Sequence, residues 1–172
     1  MSLLGADYRR DMGVRSYPFL VYALTPLAAL VLQAWLPRLV RGSWFDLPLV
    51  ITVYFALGRR NPIQGSLMGA GLGLFEDALT HHAIGVNGIA KTVAGFLAGS
   101  VGVHIDVENH TIRMMVTFLL SLLSSVIYLS IYRGLLGLSL EWSWLAELMK
   151  AVANSLIAMV LFPLLDRTRV RD

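Results

Sequence analysis

Six stretches of this chain are nearly free of charge, and most charged residues fall between them. A helix that crosses a bilayer needs roughly twenty apolar residues. That measure places spans at about 17–37, 45–58, 62–80, 84–105, 111–133 and 143–165. The first lies between Pro18 and Pro37, with Pro26 predicting a kink inside it. The second is short, and Asp46 and Pro48 read as its N-cap and first-turn proline. Only the His81-His82 turn separates the third from the fourth. The links are short and no internal repeat is visible. The pattern therefore predicts one domain over residues 1–172, an all-α integral membrane protein built as a six-transmembrane-helix bundle.

The basic residues of the links set the orientation. Arg9, Arg10, Arg15, Arg59, Arg60, Arg113, Arg167, Arg169 and Arg171 fall on one side, against Arg38, Arg41 and Arg133 on the other. This bias predicts that both termini are cytoplasmic, as an even number of spans requires. Trp35, Trp44, Trp142 and Trp144 all fall at the opposite, outer interface, where amphipathic rings prefer to lie. The first span is longer than a signal-peptide core and lacks a small-residue cleavage site, so it is expected to stay.

Composition narrows the function classes. The chain is 56% apolar and 15% charged, well away from the balance of a soluble domain. Without cysteine it has neither disulfides nor thiolate metal sites. The net charge of +3 is scattered through short links, which argues for topology and against nucleic acid. His81, His82, His104 and His110 form no metal-binding spacing, and no phosphate-binding fingerprint occurs. Ser121, Ser124 and Ser125 have no partner placed to activate a nucleophile and read as interhelical hydrogen-bonders. No catalytic residue, cofactor or metal is expected.

Spans three and four carry small-residue ridges instead. Gly65, Gly69 and Gly73 repeat every fourth residue, as do Gly95 and Gly99, followed by Gly102. Such ridges let helix backbones approach closely, within the bundle (their commoner use) or against a partner's helix. The same rows reach Asp77, Lys91 and Asn87, with Glu76 adjacent. Charges at membrane depth are expensive unless paired, so Asp77–Lys91 or Glu76–Lys91 is the expected pair, structural in its bland reading and a proton or substrate relay in its functional one. Glu147, Lys150 and Asn154 form a second polar stripe in span six, with Glu147 and Lys150 able to pair and Lys150 and Asn154 able to reach across the bundle.

The run from Asn61 to Lys91 resembles the central segment of the MreD family, the bacterial rod shape-determining membrane proteins. Gly73 to Asp77 stands where that family has G-x-x-x-D, and Gly85-Val86-Asn87 where it has G-x-N. Phe45-Asp46-Leu47, and Asn154 through Pro163 with the basic tail, are similar in a weaker way. Glu76 and Lys91 depart from the pattern. The resemblance implies a non-enzymatic scaffold of the elongasome in the bacterial inner membrane. Its partners would be MreC, the RodA glycosyltransferase, a class B penicillin-binding protein and, indirectly, MreB. It also implies a fold similar to the S components of vitamin transporters, which leaves a small-molecule-binding subunit as the alternative.

Overall fold

The structure, a computed structural model, describes residues 17–39, 44–80, 83–105, 107, 109–137 and 143–168. These form six helices: α1 (Phe19–Leu39), α2 (Leu47–Arg59), α3 (Pro62–Thr80), α4 (Val86–His104), α5 (His110–Gly134) and α6 (Trp144–Asp166). Each lies where hydropathy places a span, with ends shifted by a few residues. α1 continues through Pro26 and past Pro37 to Leu39. α4, α5 and α6 are long and apolar enough to cross a membrane. The chain is thus an all-helical bundle of the kind membrane proteins use. The His81-His82 turn, Arg9, Arg10, Arg15, Arg41, Arg169, Arg171 and Trp142, and the side chain of Arg38, lie outside the description.

Local chemistry starts and stops the helices. The Asp46 carboxylate accepts from the Leu49 N–H to cap α2, whose second residue is Pro48. Arg60 closes the same helix in a left-handed conformation, at φ +50°. Asn61 then accepts from the Gln64 N–H as α3 begins, and Asn109 caps α5 through the Thr111 and Ile112 N–H groups.

α2 is the hub of the bundle. It touches each of the other five helices, which follow one another around it in the order α1, α3, α4, α5, α6. Among the described residues α6 and α1 do not meet, so the ring is open there. Every residue of α2 from Pro48 to Gly58 is buried. Outward-facing side chains are large and apolar instead, such as Phe19 (81% exposed), Leu67 (69%) and Val160 (73%). That inversion suits a surface solvated by lipid. Trp35, Trp44 and Trp144 are exposed at the end of the bundle away from the termini.

The glycine ridges meet each other. A Cβ on Gly65 would strike the Gly95 carbonyl, and one on Gly95 the Gly65 carbonyl. Gly69 sits against the Lys91 backbone, Gly73 against Asn87, and Gly99 against Asn61 and Pro62. Of the two uses expected for these five glycines, packing within the bundle is the one seen, and the partner-helix role is corrected. Their faces are filled by the chain's own helices, so no partner's backbone can reach them. Gly102 likewise lies against Leu57 of α2.

Candidate functional site: a polar node at the start of α2

At 13 residues α2 is roughly 20 Å long, against about 30 Å of hydrocarbon. Asp46 and the first turn of α2 are enclosed by the bundle, with Asp46, Pro48, Leu49 and Val50 all buried. Gln33, level with that turn, lies six residues before the end of α1, roughly 9 Å along the axis. Backbone groups exposed at such depth must find partners in the protein.

All six helices supply them or their supports. From α1, the Gln33 amide donates to the Phe45 carbonyl (3.1 Å) and accepts from the Leu47 N–H (3.0 Å). From α6, Asn154 accepts from the Asp46 N–H (2.7 Å) and donates to Ser121 Oγ of α5 (2.7 Å). The Asp46 carboxylate, beyond its cap, binds Lys91 Nζ of α4 at 2.9 Å. Lys91 also binds Glu76 of α3 at 2.6 Å and donates to Asn87 Oδ1 at 3.3 Å. The Lys91 side chain is fully buried, and those of Asp46 and Glu76 are 6% and 9% exposed.

Asp77, beside Glu76, holds the α3–α4 turn. It accepts from the Gly85 and Asn87 N–H groups at 2.8 and 3.1 Å, and from Asn87 Nδ2 at 2.8 Å. Gly85 reaches that position at φ +100°, a conformation few other residues adopt easily. The carboxylate also lies at the amino end of α4, where the helix dipole favours negative charge.

Of the expected pairs, Glu76–Lys91 forms and Asp77 turns instead to Asn87 and the link. The Glu147–Lys150 pair that the spacing allowed is not formed, and Glu147 instead accepts from Ser125 Oγ of α5. Lys150 makes no hydrogen bond or ion pair among the described residues. Asn154 reaches across the bundle as expected. Ser121 and Ser125 form hydrogen bonds between helices, again as expected.

Two components escaped the sequence. Asp46 was legible as a cap and not as a partner of Lys91, since the two are 45 positions apart in the chain. Gln33 carried a signal that could have been used, an amide deep within an apolar span. A second cluster was also missed, towards the termini. There Arg113 of α5 binds Asp166 of α6 at 2.6 Å, Tyr54 donates to the same carboxylate at 3.0 Å, and the guanidinium lies over the Tyr54 and Phe162 rings.

Among the described residues no group of three His, Asp or Glu side chains is placed to hold a metal ion. The node's polar atoms are directed at one another, an arrangement that fixes helix positions. Comparison with protein families, curated proteins and solved structures finds no match to this chain.

Proposed function

We propose that this chain is a six-span scaffold of the MreD kind in the bacterial inner membrane, with both termini cytoplasmic and a fold like that of transporter S components. It would hold the single span of an MreC-type partner beside a RodA and class B penicillin-binding protein synthase, with MreB linked indirectly. The observation that carries this reading is the node itself. Hydrogen bonds and ion pairs from every helix converge on the start of α2, so the bundle offers a partner a fixed shape. A fixed surface loses little conformational entropy on association.

The transporter alternative draws no such support. Asp77, Asn87 and Lys91, the residues that would grip a small molecule, are bound to one another and to Asp46 and Glu76.

With the glycine ridges filled, the partner's helix must rest on outward apolar faces. The test places a photo-crosslinking residue in turn at Leu24, Leu67, Met115 and Leu156, all exposed, with an MreC-type protein co-expressed. Crosslinks concentrated on one or two neighbouring helices are the expected result. Folded protein that crosslinks the partner from none of the four positions, and fails to co-purify with it, overturns the scaffold reading.

A further inference from the structure

Glu76 differs from the other acids of the node in how it is held. Asp46 has the Leu49 N–H and Lys91, and Asp77 has three N–H donors. The Glu76 carboxylate has one partner among the described residues, Lys91, and shares it with Asp46. Two carboxylates thus lean on one ammonium where no side chain is more than 9% exposed. Like charges sharing a dry site are relieved when one of them takes up a proton.

The surroundings single out Glu76 as that group. On its own helix Asp77 is occupied by three N–H donors. On α2, Asp46 caps a helix start, which favours its charged form. On α4, Lys91 already donates to Asn87 and binds both acids. The Lys150 ammonium of α6, half-buried and not in contact with Glu76, favours its charged form, and the half-buried Tyr128 of α5 adds no charge at neutral pH. α1 contributes the uncharged Gln33 to the same helix start. Glu76 also stands one turn before Thr80, the last residue of α3, and its side chain keeps 9% of its surface exposed.

We propose that Glu76 is a proton-exchange site. Its carboxylate gains a proton from water at the end of the bundle away from the termini, forming one O–H bond, and Lys91 is left to Asp46 and Asn87. Release returns the proton to the same water. This goes beyond the scaffold reading and does not depend on it.

Infrared difference spectra of the purified protein in lipid nanodiscs, acidified against neutral, test the idea. The expected result is a carbonyl stretch of a protonated carboxylic acid that grows on acidification, is lost in Glu76→Gln, and persists in Glu147→Gln. If Glu76→Gln does not fold, wild-type protein with heavy-carbon-labelled glutamate side chains must show that band shifted, and folded Glu76→Asp must show it unshifted by the same label. No such band in the wild type, a band that survives Glu76→Gln, or a band insensitive to the glutamate label would overturn the proposal.

Discussion

Lys91 concentrates the energetic stakes of the molecule in one side chain. Its ammonium joins α4 to α2 and α3, and it is fully buried. Truncating one member of a buried charge cluster leaves the others uncompensated, a loss of roughly 3–5 kcal/mol. Lys91→Met is therefore expected to lower the thermal midpoint sharply or prevent accumulation in the membrane, as fluorescence-detected size exclusion after heating would show. Retention of wild-type stability would mean that the node is not cohesive. Asp77→Asn should be milder, because one amide oxygen can still accept while the other donors lose their partner, at about 1–3 kcal/mol. A smaller midpoint shift than for Lys91→Met is the expected outcome. Both residues were visible from sequence as costly charges in apolar helices. Their partners were not, because the choice between Asp77 and Glu76 depends on helix rotation, which a row of every-fourth residues leaves undecided.

At the level of the element, the glycines of α3 sort by face. Gly69 has no room for a Cβ against the Lys91 carbonyl, whereas Gly71 has nothing within contact range. Gly69→Ala must push α3 and α4 apart and disturb the backbone that carries Lys91. Gly71→Ala only removes backbone freedom, which in a helix stabilises by up to about 1 kcal/mol. Parallel thermal melts should show the first variant well below wild type and the second equal to it or above. Equal midpoints for the two would refute the packing of this seam. The short α2 follows the same reasoning. Its length was legible, but its place was not, since a predominantly apolar run reads alike whether lipid or the protein's own helices surround it.

For the whole molecule, the proposed six crossings make a topology that labelling can check. Single cysteines are introduced at Asn61, in the α2–α3 link, and at Leu136, just after α5. In intact cells an impermeant maleimide should reach Leu136→Cys and not Asn61→Cys, and lysis should make both reactive. The reverse pattern, or equal labelling in intact cells, would contradict the orientation.

The linear chain determined the helices. Apolar run length, proline and asparagine at the ends, and the placement of charge are local properties, and the bilayer's demand for internally satisfied backbone acts on each span separately. The glycine spacing also announced a close helix pair, though not that the two ridges would fill one another. Only the tertiary structure decided that Gln33, Asp46, Glu76, Lys91, Ser121 and Asn154 converge on one point. Five of these residues come from five helices and Asp46 is the cap of the sixth, and their meeting depends on the depth and rotation of each. A short central helix starting inside the bundle leaves unpaired N–H groups there, and that need, set by packing, recruits the polar side chains around it.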